Sequence, residues 1–206
     1  MQVETTSFVL AGGGEPGLLL AGLAIADELQ ALVPQARFLF GGSGAADECR
    51  RVCHAGYEYV AFGNPPDSRR APRWRWPWSG RGDVRRVLER LRPAAVITVG
   101  GAIGEAIGNA AAKLGLPLAV LEQRVAASPA TQRLASKASL VCLGFEQARH
   151  RLAASCPVRV TGVPVARSAA LAVDGSPQCD GSADAAWQVA GMIGELISCE
   201  ALKRVA

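Results

Sequence analysis

Hydrophobic and polar positions form two alternating kinds of run along the chain. Short, almost uninterrupted apolar runs alternate with longer stretches in which apolar residues recur every three or four positions. The short runs are typical of parallel strands buried on both faces, and the longer stretches are typical of helices that pack on a sheet. The pattern predicts strands over residues 8–10, 37–40, 57–61, 94–99, 117–121, 140–143 and 158–161.

Helical spacing fills the intervals between these strands. The first helix follows a glycine turn and is predicted to end near Leu32, before Pro34. We expect further helices over residues 45–55, 84–91, 103–114, 131–136 and 146–153. Strands that alternate with helices in this way predict an α/β fold, with a Rossmann-like, doubly wound parallel sheet.

The composition changes near the C-terminal end of the sequence. Residues 174–181, DGSPQCDG, have the composition of a linker, and the stretch after them has the spacing of one long helix. Its expected buried stripe contains Trp187, Ala190, Ile193 or Gly194, and Ile197. We therefore predict a domain over residues 1–173, a linker over 174–182 and a C-terminal helix over 183–206 that packs back on the domain.

Two glycine turns follow predicted strands, at residues 12–14 and 100–101. Ligands of open α/β sheets bind at the carboxyl ends of the strands, and the N–H groups at a helix start attract phosphate. In the first turn, Pro16 has no N–H to donate, and Glu15 places a carboxylate where an anion would bind. The first turn is therefore either a ligand site or only a tight strand-to-helix connection.

Basic residues are concentrated in one segment. The formal net charge is +4, but nine arginines fall between Arg69 and Arg92 against only two carboxylates, so the basic character is a patch. Arginines alternate with tryptophans over residues 73–78. Such a segment suits an anionic membrane surface, where indoles lie at the headgroup level. Packing of the indoles on the domain, single-stranded nucleic acid and a protein partner are the alternatives.

The cysteines and the N-terminus restrict the class of protein. The six cysteines lack paired CxxC spacing, which indicates reduced thiols of a cytosolic protein. Cys49, Cys53 and His54 could suggest a metal, but a half-buried helix face explains them more simply, and we predict no metal and no cofactor. Neither a signal peptide nor a membrane-spanning stretch of ~20 residues is recognisable. We expect a protein that is soluble or peripheral to a membrane.

Four segments carry a resemblance to a known family, in the family's own order. They are GGGEPGLLLAGLAIA, TVGGAIGEAIGNAAAKLGLPLAVLEQ, ATQRLASKAS and VTGVPVAR. They resemble the GGTGGH and PGLAVA, the GGYVSGP, LGIP and HEQN, the TNKWLAK and the GNPVR motifs of MurG, the bacterial peptidoglycan lipid-intermediate N-acetylglucosaminyltransferase of glycosyltransferase family 28. The resemblance covers residues 7–171 and implies the N-terminal, acceptor-binding half of a glycosyltransferase B (GT-B) fold.

The resemblance also implies which residues form the site. The residues expected in the acceptor or phosphate loops are Gly13, Gly14, Gly17, Gly100, Gly101, Glu122 and Gln123. Because this family works on a lipid-linked acceptor and carries an apolar, basic patch in this part of the domain, membrane contact becomes the favoured role of the basic segment. The residues expected to contact the membrane are Arg73, Trp74, Arg75, Trp76 and Trp78.

Departures from the family fall at positions that matter for chemistry. The family's glycine-loop histidine, a candidate catalytic or phosphate-contacting group, corresponds to Leu18, so we predict no catalytic residue. The tyrosine and serine of the second loop are Ala102 and Gly104. Only the central two residues of HEQN remain, followed by Arg124, and the asparagine of GNPVR is Val163.

The family's UDP-sugar domain is not recognisable in these residues. We therefore expect the acceptor-side and membrane-side half of a hexosyltransferase, inactive alone and dependent on a separate UDP-sugar-binding chain. Its expected partners are a lipid-linked acceptor or an anionic membrane surface, at the inner face of the cell membrane, and not nucleic acid. The alternative hypothesis is a non-catalytic paralogue that binds lipid or a protein partner.

Overall fold

A computed structural model describes residues 6–62, 83–165 and 182–205. In this part of the chain seven parallel strands form one sheet in the order β3-β2-β1-β4-β5-β6-β7, which confirms the predicted doubly wound, Rossmann-like α/β fold. The strands are β1 (Ser7–Ala11), β2 (Arg37–Gly42), β3 (Glu58–Ala61), β4 (Ala95–Thr98), β5 (Leu118–Glu122), β6 (Leu140–Leu143) and β7 (Val158–Val160).

The helices lie close to the predicted ranges. They are α1 (Pro16–Leu32), α2 (Ala46–His54), α3 (Val84–Leu91), α4 (Gly101–Lys113), α5 (Pro129–Ala135) and α6 (Ser182–Val205). The α-helix predicted over residues 146–153 is wrong, because Glu146–Arg151 forms a 3-10 helix. Six residues are too few to offset the cost of starting an α-helix, and short connectors commonly adopt 3-10 geometry.

The sheet divides the hydrophobic core into two layers. Alternate residues of a strand point to opposite faces, so Phe8 and Leu10 join the layer that contains α1, α2 and α6. Val9 and Ala11 join the layer that contains α3, α4 and α5. All five residues of β1 are buried, and this burial explains why Ser7 is followed by four consecutive apolar residues instead of an alternating pattern.

The C-terminal helix α6 packs on α1. Its buried residues include Val189, Ala190 and Ile193, which join the core layer on that side of the sheet. The prediction that Trp187 belongs to the buried stripe is wrong, because its side chain is 56% exposed. One residue turns a helix by about 100°, and this rotation carries the indole from the buried position of Ala186 out to solvent.

The order of the strands places one crevice at the carboxyl edge of the sheet. The chain moves outward from β1 to β2 and β3 on one side, and then from β4 to β7 on the other. The point of reversal therefore lies between β1 and β4, where ligands of open α/β sheets bind. Both glycine turns named above directly follow these two strands.

Two predicted segments lie outside the described residues. They are residues 174–181 of the linker and residues 69–82 of the basic segment, which include the expected membrane contacts Arg73, Trp74, Arg75, Trp76 and Trp78. The described residues on either side of this gap are Phe62, which follows β3, and Asp83, whose side chain accepts from Arg85 N–H at the start of α3. Within the described ranges, no helix combines the length and the apolar character that crossing a bilayer requires.

Candidate functional site

The two glycine turns pack against each other at the point of strand reversal. Val99 N–H donates to the Ala11 carbonyl at 2.9 Å, which joins the ends of β1 and β4. A Cβ on Gly12 would collide with the Val99 side chain, and a Cβ on Gly101 would lie 2.8 Å from the Gly13 carbonyl oxygen. Gly101 also has a φ of +76°, in the left-handed region. The glycines are therefore required for the contact between the turns.

The first glycine turn is occupied by a carboxylate from another part of the chain. Gly14 N–H donates to Glu48 Oε1 at 2.6 Å. Ser43 N–H and the Tyr59 hydroxyl donate to Glu48 Oε2 at 2.8 and 2.9 Å. Glu48 belongs to the first turn of α2, so one side chain connects that helix with β3 and with the turn after β1.

The charge states of this cluster follow from its contacts. Burial raises the pKa of Glu48, but the hydrogen bonds from Gly14, Tyr59 and Ser43 together outweigh burial and hold the pKa below its ordinary value. Burial raises the pKa of Tyr59, and the neighbouring carboxylate raises it further. At neutral pH Glu48 is therefore ionised, and Tyr59 is a neutral donor.

Leu18 fills the position of the histidine expected from the family. Its side chain is 8% exposed, and its Cδ2 atom lies 3.4 Å from the point that a Cβ on Gly100 would occupy. The side chain thus spans from α1 to the second glycine turn. This contact is apolar, so Leu18 provides neither a base nor a hydrogen-bond donor to the crevice.

The loop after β5 forms the next wall of the crevice. The Glu122 side chain is buried, and its two carboxylate oxygens accept from Arg124 N–H at 2.9 Å and Ser128 N–H at 2.7 Å. Gln123 Nε2 donates to the Val99 carbonyl at 3.4 Å, which connects this loop to the second glycine turn. Glu122 therefore shapes its own loop, and Gln123 is the predicted side chain that reaches the crevice wall.

An ion pair spans the second glycine turn. Arg124 Nη2 lies 2.7 Å from Glu15 Oε1, and both side chains are more than half exposed. Glu15 caps the N-terminus of α1, which follows β1, whereas Arg124 follows β5. Since β4 lies between β1 and β5 in the sheet, the pair crosses the turn that follows β4.

The structure gathers most of the predicted site residues at one place. Gly13, Gly14, Gly100, Gly101 and Gln123 surround the point of strand reversal. Gly17 is exposed in the first turn of α1, with open space where a Cβ would point. Glu122 lies at the same edge of the sheet but faces its own loop.

Sequence reasoning missed Glu48 and Tyr59. The sequence contained one signal for Glu48. This acidic residue lies in the first turn of a helix that follows a glycine pair, where the helix dipole favours a carboxylate. That signal does not name the partner of the carboxylate. The position of Tyr59 has no corresponding signal, since its hydroxyl meets Glu48 through the pairing of β3 with β2.

Two further features, a pair of thiols and a cavity, lie apart from this site. Cys49 Sγ lies 3.9 Å from Cys53 Sγ, and burial together with Cys53 raises the pKa of Cys49 to about 11. Within the described ranges, no cluster of three or more His, Cys, Asp or Glu side chains could hold a metal ion. A cavity of about 290 Å³ opens at the opposite edge, where Arg37 and Glu58 are paired at 2.8 Å.

Comparison with known proteins finds curated relatives that share one name. No family model matches the chain. A UDP-N-acetylglucosamine--N-acetylmuramyl-(pentapeptide) pyrophosphoryl-undecaprenol N-acetylglucosamine transferase of Paenarthrobacter aurescens is 35% identical over 167 residues, which are 79% of this chain and 44% of that protein. The transferase of the same name from Amoebophilus asiaticus is 30% identical over 145 residues, which are 67% of this chain and 40% of that protein.

A solved structure agrees with these relatives. The crystal structure of Acinetobacter baumannii MurG matches with a TM-score of 0.59 at 20% sequence identity, and the match covers 80% of this chain and 47% of that one. This likeness shows the fold. The chain spans less than half the length of each of the relatives described here.

Proposed function

Because this chain corresponds to the N-terminal domain of the MurG transferases, we propose that it forms the acceptor side of an N-acetylglucosaminyltransferase of peptidoglycan lipid-intermediate synthesis. The acceptor would be a muramoyl-peptide joined through a diphosphate to undecaprenol, as the names of the curated relatives state for those proteins. The role proposed for this chain is to bind the acceptor, and not the UDP-sugar donor.

The meeting of the two glycine turns at the point of strand reversal carries the proposal. The sequence similarity covers 79% of the chain for one relative and thus extends well beyond a single glycine-rich motif. The crevice beside the turns lies at the carboxyl edge of a parallel sheet, where this class of fold binds ligands. A lipid-linked acceptor would present its diphosphate and sugar to this edge.

The described side chains support binding and orientation of the acceptor. Transfer of a sugar requires a base that accepts the proton of the acceptor hydroxyl. Leu18 is apolar, and both carboxylate oxygens of Glu122 are engaged with backbone N–H groups. We infer that neither Leu18 nor Glu122 is this base.

A location at the inner face of the cell membrane follows as part of the same proposal. The acceptor is a lipid, so the protein that binds it must approach a bilayer surface. The alternating arginines and tryptophans of residues 73–78 are the sequence feature that supports this contact. The test of this location is described below.

Binding measurements test the proposed function. We expect the purified chain to bind undecaprenyl-diphosphate-linked muramoyl-pentapeptide in detergent micelles and not to bind UDP-N-acetylglucosamine. Undecaprenol alone serves as the control for insertion of the lipid tail. Equal affinity for undecaprenol and for the complete acceptor would contradict the proposal, as would turnover of radiolabelled donor by the chain alone.

A further inference from the structure

The first glycine turn already binds an anion, and that anion belongs to the protein. Gly14 N–H, which would otherwise face an incoming phosphate, donates to Glu48 at 2.6 Å. The low pKa of Glu48 keeps this group charged at neutral pH. A ligand phosphate at this turn would meet a carboxylate and would be repelled. The negative charge of a ligand must therefore be received elsewhere in the crevice.

Arg124 provides a positive charge on the other side of the crevice. It pairs with Glu15 across the end of β4, because β4 lies between β1 and β5 in the sheet. The helix α4 begins after β4, and its N-cap residue Gly100 provides no side-chain cap. The N–H groups of a first helical turn and a guanidinium both favour an anion, and a guanidinium can bind phosphate oxygens with two hydrogen bonds. The Glu15 carboxylate is the anion that accepts from this guanidinium in the structure, at 2.7 Å.

Arg124 can exchange the Glu15 carboxylate for another anion. Both of its side chains are more than half exposed, and exposed ion pairs contribute little to stability. The backbone beneath Arg124 is fixed, because the buried Glu122 carboxylate accepts the N–H groups of Arg124 and Ser128. The guanidinium can therefore change partners without movement of the loop that carries it.

We propose that Arg124 binds the diphosphate of the acceptor and that Glu15 is the counter-ion which the diphosphate displaces. This inference rests on the proposed function, which supplies the lipid-linked diphosphate. It assigns ligand recognition to a residue that follows the part of the HEQN motif retained here. Arg124 should strengthen binding of the diphosphate and Glu15 should weaken it, because the Glu15 carboxylate competes with the ligand for the Arg124 guanidinium.

Calorimetric titration with inorganic pyrophosphate tests the exchange. We expect Arg124→Gln to weaken binding by about tenfold or more, since a charge-assisted hydrogen bond is lost. Arg124→Lys should retain part of the affinity, because the charge remains without the two-pronged geometry. Glu15→Gln should tighten binding severalfold, and it should have no such effect when Arg124 is also replaced.

The matched control is Arg149→Gln. Arg149 forms an exposed ion pair with Glu146 at 2.6 Å, on the 3-10 helix. This variant removes one positive charge from an equivalent exposed pair, so unchanged pyrophosphate affinity would exclude a general effect of net charge. Unchanged thermal midpoints in all the variants would exclude loss of folding.

The outcomes separate this inference from the proposed function. If pyrophosphate does not bind the unaltered chain, or if it binds Arg124→Gln equally well, the role of Arg124 is refuted. If the complete lipid acceptor still binds in that case, the proposed function remains and only the assignment of Arg124 fails. If pyrophosphate binds through Arg124 but the lipid acceptor binds no more tightly than undecaprenol, the assignment remains and the proposed function fails.

Discussion

The Glu48 carboxylate accepts a hydrogen bond from the backbone N–H of Gly14 at 2.6 Å, although 34 positions separate the two residues in the sequence. This contact connects the N-terminus of α2 with the turn between β1 and α1. A turn that consists of glycines has a large conformational entropy when free. The carboxylate reduces that freedom, so it prepares the first glycine turn for its contact with the second.

Replacement of Glu48 should destabilise the fold in a pH-dependent way. We expect Glu48→Gln to lower the free energy of unfolding at neutral pH by about 1–3 kcal/mol, because charge-assisted hydrogen bonds to backbone N–H groups are lost. The pKa of Glu48 lies below its ordinary value of 4.5 in the folded state. Its stabilising contribution is therefore complete above that value and disappears as the pH falls through the folded-state pKa.

Urea denaturation of both proteins at about pH 6 and about pH 3 measures this contribution. The difference in stability between wild type and Glu48→Gln should be larger at the higher pH than at the lower one. Glu146→Gln is the control, since Glu146 makes an exposed pair with Arg149. An equal difference at both pH values would show that the charge of Glu48 does not stabilise the turn.

Alanine substitutions at three glycines should separate backbone strain from steric contact. Gly101→Ala should be the most destabilising, because φ is +76° and the new Cβ would lie 2.8 Å from the Gly13 carbonyl. Gly115→Ala adds only the strain of a φ of +66°, about 1–2 kcal/mol. Gly17→Ala adds neither and should stabilise α1 by a few tenths to about 1 kcal/mol. Thermal unfolding measures the stability of the three variants. A different order of their unfolding midpoints would refute this explanation.

The C-terminal helix should contribute to stability through Ile193 and not through Trp187. Ile193 is 0% exposed in the core layer beside α1, so Ile193→Ala should cost about 2–5 kcal/mol. Trp187→Ala removes a larger side chain that is 56% exposed, and its effect should be much smaller. The denaturant midpoint of each variant measures its stability. Equal midpoints for Ile193→Ala and wild type would mean that α6 does not stabilise the domain.

The basic segment should bind anionic membranes through two separable contributions. Replacement of Trp74, Trp76 and Trp78 by serine should leave a weak association that salt removes, because only attraction of charges would remain. Replacement of Arg73 and Arg75 by glutamine should reduce the preference for anionic over neutral lipid. Co-sedimentation with vesicles measures both effects. If the unaltered chain stays in the supernatant with anionic vesicles at low salt, the segment does not attach the protein to membranes.

Apart from the α-helix expected over residues 146–153, the strands and helices predicted from local patterns agree with the structure. The strand positions and both glycine turns follow from runs of apolar residues and from glycine positions, since burial on two faces and a positive φ leave a direct trace in the sequence. Trp187 shows where this reasoning fails. The helical period places several apolar residues near a stripe, but only the packing of α6 on α1 decides which of them is buried.

The sequence by itself determined the fold class, the family resemblance and the edge of the sheet that carries the site, because periodicity and motif order are local properties. Only the tertiary structure decided what the polar groups at that edge do. Glu48 meets Gly14, and Glu15 meets Arg124 across 109 positions, through the order in which the strands pair. Hydrogen bonds between distant residues depend on that order, and no local pattern records which donor will face which carboxylate.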